Sequence, residues 1–366
     1  MRRRKVFTPE TMKAAEPIDT SVTAMSAGSG MQVSLDQAAA RCQTTVAAMP
    51  ELPDLVHVED ALRAAVAGKT IAAARTGDPT VLRLMVPESL ASEKGPSEGP
   101  LDPPRTSDAG RSPSPLTRLL TGRRLETVER RGHFMRFGIS GGLVVVVNAM
   151  LVGKYKLLPN RGAGGQDAKK DPRALGLALV LEDGPELQYL DDKRMGKVYV
   201  ARLEDEAKIP VYGELGLDLT SPAFTRAAFG QLFARRRDQV RAFLMDKQAL
   251  ASIGNAYADE ILFAARLHPK TFCRKIDPTG VDALYEAIGR VLAEAIAEIR
   301  RRDEPIEIKV RDFLKVRGRD GKPCLVCGTT IRAVRVGAGD ACFCPTCQPE
   351  TRKLFINWSD RAQPKA

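Results

Sequence analysis

Ser252-Ile253-Gly254-Asn255-Ala256-Tyr257-Ala258-Asp259-Glu260-Ile261-Leu262 reads as a tight turn feeding straight into a helix. Gly254 permits close backbone approach and Asn255 is both a cap and an amide donor. The stretch therefore offers donors to an anion at a helix N-terminus, although a Gly-Asn turn taken alone is ordinary capping. Its surroundings are helical from Ser221-Pro222, a good helix start, to about Arg302. The periodicity predicts helices over Phe224 to Ala234, Gln239 to Gln248 and Asn255 to Arg266, then a long helix opened by a capping box of Thr279 and Asp282. In that last helix Leu284, Ile288, Val291 or Leu292, Ile296 and Ile299 form one apolar stripe, the pattern of core packing.

Downstream, Cys324-x2-Cys327 and Cys344-x2-Cys347 have the spacing of a four-cysteine zinc ribbon, in which two knuckles supply four thiolates to one tetrahedral ion. Four protein ligands leave no open position, so the ion is read as structural. Cys342 is an alternative to Cys344, but the two-residue spacing favours Cys344. Five of the seven cysteines fall in this segment, which is a metal-ligand distribution and implies a reducing, cytoplasmic setting. The basic start, Met1 to Lys5, is followed by no apolar core of a signal peptide, and no apolar run is long enough to span a bilayer. A formal net charge of +11, with Arg and Lys concentrated around Arg235 to Arg241 and Arg300 to Arg319, favours a polyanionic partner.

Upstream, residues 1–48 have little periodicity and read as a disordered extension. Met49-Pro50-Glu51 then opens an amphipathic helix with Gly68 placed to end it. If the chain began at Met49 and the methionine were trimmed, Pro50 would carry a free secondary amine beside a carboxylate, a nucleophile paired with a proton shuttle. Residues 91–115 are rich in proline and glycine and read as an inserted loop. Leu125 to Val128, Phe134 to Ile139, Leu143 to Val147, Leu175 to Leu181 and Leu187 to Leu190 read as strands, and an antiparallel β-sandwich flanked by the first helix is the economical packing.

Met49 to Glu59, Ser252 to Leu262 and the four cysteines, in this order, resemble the formamidopyrimidine-DNA glycosylase and endonuclease VIII family of base-excision repair enzymes. The resemblance implies an α+β multidomain protein: a catalytic β-sandwich domain over 49–210, a helix-two-turns-helix DNA-binding domain over 221–312, a zinc ribbon over 318–350 and a tail over 351–366. It implies a monomer acting on damaged double-stranded DNA at the nucleoid, with one structural Zn2+. The activity implied is excision of oxidised bases of the formamidopyrimidine or 8-oxoguanine type, then strand cleavage by β,δ-elimination through a Schiff base on Pro50, with Glu51 moving protons. An oxidised-pyrimidine or abasic-site enzyme of the same family, or a DNA-binding relative without catalysis, are the alternatives.

The same resemblance implies DNA contacts residue by residue. Asn255 and Arg241 fall where the family contacts phosphate, and His133 stands where it has a lysine. Leu151, with Met150 beside it, aligns with the side chain that fills the gap left by an everted base. Lys193, Arg194 and Met195 match a loop that pairs with and wedges beside the orphaned base. The family's ribbon arginine is missing, because the matching position is Gly339; Arg332 and Arg335 are the substitutes at hand.

Overall fold

The computed structural model describes residues 50–87, 114–150, 152–159, 174–337 and 339–350. The 1–48 extension, most of the 91–115 insert, the 351–366 tail and Leu151 lie outside the described residues. The chain enters its fold through helix α1 (Leu52–Val66). Pro53 costs no hydrogen bond in the first turn, where backbone N–H groups have no partner within the helix. Gly68, just past its end, has φ +79°, a backbone that side-chain-bearing residues rarely adopt. The helix divides its apolar residues between two cores: Val58, Leu62 and Val66 pack among strands, Leu52 and Val56 among helices.

Two sheets build the first core. One runs β1 (Ile71–Arg75), β7 (Leu175–Leu181), β8 (Glu186–Leu190), β6 (Lys154–Leu158); the other runs β2 (Leu82–Met85), β9 (Lys197–Arg202), β5 (Leu143–Asn148), β4 (Phe134–Ile139), β3 (Leu125–Arg131). Pairing is antiparallel except between β2 and β9. The unbroken apolar run of β5 follows from burial on both faces. Val145 and Val147 face the core between the sheets, while Val144 and Val146 pack with Phe134, Tyr199, Ile209 and Tyr212 on the other side. Helix α2 (Pro115–Leu120), capped by the Ser114 hydroxyl on the Thr117 N–H at 3.2 Å, adds Leu116, Leu119 and Leu120 to this core.

The second core is helical: α3 (Arg226–Ala234), α4 (Val240–Met245), α5 (Asn255–Ala264) and α6 (Pro278–Arg302). Two short strands in this part of the chain, β10 (Leu217–Asp218) and β11 (Leu250–Ala251), pair in parallel. Two helix starts differ from the sequence reading. Helix α3 begins at Thr225, whose hydroxyl accepts from the Ala228 N–H, not at Ser221-Pro222. Helix α6 begins at Asp277, whose Oδ1 accepts from the Gly280 N–H at 2.7 Å with Pro278 next. The expected box of Thr279 and Asp282 does not form, and Asp282 instead pairs with Arg226 of α3. At 25 residues, α6 spans about 37 Å. Leu284, Ile288, Leu292 and Ile299 are buried along it, with Ala287 and Ala295 between them, while Val291 and Ile296 are only partly covered.

Last comes an antiparallel hairpin, β12 (Arg332–Val336) and β13 (Gly339–Phe343); Cys342 of β13 and the flanking Ile331 and Cys344 pack with Phe263 at the end of α5. Among the described residues, no helix is long and apolar enough to cross a membrane.

Candidate active site and nucleic-acid interface

Glu51 precedes α1 by one residue and is 3% exposed. Its carboxylate reaches across to the Gly-Asn turn: Oε2 accepts from the N–H groups of Gly254 and Tyr257, both at 3.0 Å, and Oε1 from that of Ala256 at 2.9 Å. The Leu52 N–H donates to the Ser252 carbonyl at 3.1 Å, so backbone and side chain are both tied to the turn. The anion seated at the N-terminus of α5 is thus the protein's own carboxylate, which the turn's spacing does not reveal. Gly254 is needed there, since a Cβ would stand 2.5 Å from the Glu51 Cδ. On its other side the Glu51 N–H donates to Asp54 Oδ2 at 2.8 Å, and Asp54 pairs with Arg311. Burial pushes the Asp54 carboxyl up against the pull of Arg311. Pro50 is buried beside a small pocket also lined by Gly153, Lys154, Tyr155 and Lys309. Burial lowers the Lys309 pKa, opposed by Asp54.

Helix α5 also organises the ribbon. Glu260, 5% exposed, accepts from the N–H groups of Lys315, Val316 and Arg317 at 2.9, 2.8 and 2.9 Å. Asp259, 1% exposed, accepts from Arg241 Nε at 2.8 Å, Arg317 Nη1 at 3.0 Å and the Cys342 N–H at 2.9 Å. Sulfurs of Cys324, Cys327, Cys344 and Cys347 all lie within 4.8 Å of one another, with 4.0 Å between Cys324 and Cys347 and 3.4 Å between Cys327 and Cys344. A tetrahedral zinc with bonds of about 2.3 Å requires sulfurs about 3.8 Å apart, so the set fits one structural ion. The Val326 and Cys347 N–H groups point at the sulfurs of Cys324 and Cys344, as ligand thiolates require. Cys342 stays outside this cluster and packs in the ribbon's core.

Comparison with known proteins follows these parts. Residues 101–198 match the family described as formamidopyrimidine-DNA glycosylase N-terminal domain, 215–303 its H2TH domain and 321–349 the zinc finger found in FPG and IleRS. A formamidopyrimidine-DNA glycosylase of Symbiobacterium thermophilum is 30% identical over 322 residues, 86% of this chain and 94% of its own length. This chain belongs to the formamidopyrimidine-DNA glycosylase family. The MutM (Fpg) structure from Thermus thermophilus superimposes with TM-score 0.63 at 29% identity, covering 82% of this chain and 99% of that one. The Lactococcus lactis Fpg complex with abasic-site DNA shares the fold at TM-score 0.65, 20% identity and coverage of 82% and 100%.

Against the formamidopyrimidine-DNA glycosylase pattern, the expected DNA-side residues are placed unevenly. Asn255 is exposed at the tip of α5. Arg241 is 1% exposed, locked to Asp259 and Asn255, so its guanidinium is not an open surface donor. His133 is half-buried, and burial together with Lys247 lowers its pKa to about 4, so the imidazole is neutral at physiological pH. Lys193, Arg194 and Met195 stand exposed on a turn built by Asp191, which accepts from the Lys193 and Gly196 N–H groups at 3.1 and 2.6 Å. Arg194 has φ +54° and pairs with Asp78 at 3.4 Å. The backbone crosses Tyr189 so closely that a Cβ at Gly196 would lie 1.9 Å from its hydroxyl. Leu151 falls outside the described residues; Met150 next to it has φ +45°.

Sequence reasoning missed Asp54, Lys247, Asp259, Glu260, Arg311 and Arg317. One signal was available: Asp259-Glu260 interrupts the apolar face of a helix that is otherwise buried, and adjacent inward acids demand basic or N–H partners.

Proposed function

We propose that this protein is a bifunctional DNA glycosylase and abasic-site lyase that works on damaged double-stranded DNA at the cytoplasmic nucleoid. Membership of a family of DNA glycosylases supports the first half. The observation that carries the second is the seating of Pro50-Glu51 at the seam between the sandwich and the Gly254 to Tyr257 turn, beside a pocket holding Lys154 and Lys309. A base inside a duplex is out of reach, so the damaged nucleotide is flipped out toward this seam. The Pro50 nitrogen, as a terminal secondary amine, bonds to C1′ and gives up its proton; the glycosidic bond breaks, the base leaves with a proton delivered through Glu51, and the C1′–O4′ bond then opens, O4′ taking a proton, to give the iminium. Loss of a C2′ proton from the iminium expels the 3′ phosphate, and a second elimination expels the 5′ phosphate. Asn255, Arg194 and Lys193 face the phosphates and the orphaned base, and Met195 with Leu151 fills the gap.

Within a peptide bond the proline nitrogen is an amide and cannot form an iminium. The working enzyme therefore begins at Pro50. A terminal amine of pKa about 7.8 is about one third unprotonated at pH 7.5, against about a thousandth for a lysine. The substrates assigned are oxidised bases of the formamidopyrimidine type, the lesion in the relatives' names, and 8-oxoguanine is assigned with them as the sequence resemblance implies. Chains starting at Met1 and at Met49 are compared by borohydride trapping on an abasic-site duplex and by excision from duplexes carrying oxidised purine or oxidised pyrimidine. The Met49-start chain forms a protein-DNA crosslink, its Pro50→Gly form does so weakly, and the uncleaved long chain forms none. An equal crosslink from verified full-length protein transfers the role to a lysine, and none from either form leaves a DNA-binding relative without catalysis.

A further inference from the structure

The junction of α4, α5 and the ribbon hairpin holds two arginines that play different parts. Asp340 follows Gly339 at the start of β13, and its carbonyl accepts from Arg241 Nη2 at 3.0 Å and from Arg317 Nη1 at 2.7 Å. The same two guanidiniums share Asp259. Two guanidiniums meet the one buried carboxylate of Asp259, while Asp340 is set against Arg335, 3.5 Å away, and Glu260 is taken up by backbone N–H groups. Exposure separates them: the Arg241 side chain is 2% accessible and that of Arg317 31%. Among the described residues, Nε and Nη2 of Arg317 make no hydrogen bond, so an exposed fork of donors remains.

Gly339 sets side-chain-free backbone close against Asn255 and Arg241. A Cβ there would stand 3.2 Å from Asn255 Oδ1 and 3.8 Å from Arg241 Nη1. Arg241 Nη2 donates to that Asn255 oxygen at 2.8 Å. A guanidinium has donors only, so the atom it touches is the amide oxygen, and the Asn255 NH2 is turned away from Arg241. The neighbouring arginines are less well placed. Arg332 pairs with Phe343 at the far end of the hairpin, about 13 Å from its turn, and Arg335 sits against Asp340.

We propose that Arg317 supplies the phosphate-directed positive charge at this junction, with the Asn255 amide beside it, and that Arg241 is a positioning residue that sets which way that amide faces. The proposal rests on the DNA-directed reading above. Glu260 holds the backbone of Arg317, and Asp259 holds both forks, so the donors are fixed before a phosphate arrives and little side-chain entropy is lost on contact.

The test is fluorescence-anisotropy titration of a short duplex carrying a tetrahydrofuran abasic analogue, over a range of KCl, with zinc content read on every variant. Arg317→Gln lowers the slope of log K against log salt by about 0.9 and weakens binding about tenfold, while Arg317→Lys keeps the slope and Arg335→Gln matches the parent. Arg241→Lys weakens binding as Asn255→Ala does, and the double variant is no weaker than Asn255→Ala alone. An unchanged slope in zinc-loaded Arg317→Gln overturns the proposal, as does an equal drop from Arg335→Gln. Should Arg317→Gln shed zinc, Arg317→Lys decides: retained zinc and slope support the charge contact, and loss of both reduces Arg317 to a ribbon strut. A parent that does not bind the duplex at all overturns the DNA-directed reading itself, a result distinct from these.

Discussion

Replacing Glu51 by Gln tests whether its carboxylate is a structural clasp as well as a proton carrier. Oε2 serves two N–H groups and Oε1 one. Glutamine therefore keeps its oxygen at the doubly used place and turns its NH2 toward the Ala256 N–H. One charge-assisted hydrogen bond is lost, the other two become neutral, and a donor faces a donor inside a site only 3% exposed. A lost hydrogen bond to a charged group costs about 1.5–3 kcal/mol, and a buried unpaired donor adds about 1–3 kcal/mol, so destabilisation of about 3 kcal/mol is expected. With a urea dependence near 3 kcal/mol per molar, the midpoint falls by about 1 M. Gly254→Ala forces the same contact apart and is equally costly, but the two losses do not add, because either one alone opens the clasp. Urea unfolding followed by far-UV dichroism reads the shift in both singles and in the double. A Glu51→Gln midpoint unchanged within error, or strict additivity with Gly254→Ala, would refute the clasp and leave Glu51 a purely chemical role.

Further outcomes follow from other parts of the molecule. Cys324→Ser lowers zinc from one per chain and unravels the ribbon, read by metal analysis and protease sensitivity; unchanged zinc content removes the assignment. The His133 pKa is lowered to about 4 from 6.5, so the unfolded chain binds the extra proton first and stability falls as pH drops from about 6.5 to about 4. His133→Asn flattens this dependence in urea midpoints measured across that window. Met195→Ala impairs damaged duplex more than damaged single strand, since only the duplex has a stack to open; equal losses indicate a packing defect instead. Asp277→Ala, which removes the α6 cap, costs about 1 kcal/mol in the same unfolding assay, whereas Thr279→Ala stays within about 0.5 kcal/mol.

Local pattern carried the sequence reading as far as local pattern determines structure. The cysteine pairs, the Gly-Asn turn, the strands from Leu125 to Val147 and the apolar stripe of α6 each depend on neighbours within a few residues, and each is legible. Strand β9, Lys197–Arg202, passed unread, although it lies between β5 and β2 near the centre of its sheet. Its polar ends and the preceding Asp191 to Gly196 turn leave an apolar run of only four residues, Val198 to Ala201, buried on both faces. The helix starts at Thr225 and Asp277 were misplaced because several Ser, Thr and Asp residues compete in each stretch, and geometry alone selects the one that caps. Pairings such as Glu51 with Gly254 or Asp54 with Arg311 span more than half the chain and leave no periodic trace.

Helix α1 has a consequence for how the protein comes to be made. Its Leu52 packs in the same core as Leu314, so the first helix cannot dock fully until the helical domain has left the ribosome. At about 5–20 residues per second that interval is on the order of tens of seconds. For all of that time the residues around Pro50 lack the Gly254 to Tyr257 turn that later closes over Glu51. Pro50 itself is buried once this seam has formed, so the backbone around it is open to other proteins chiefly during that interval.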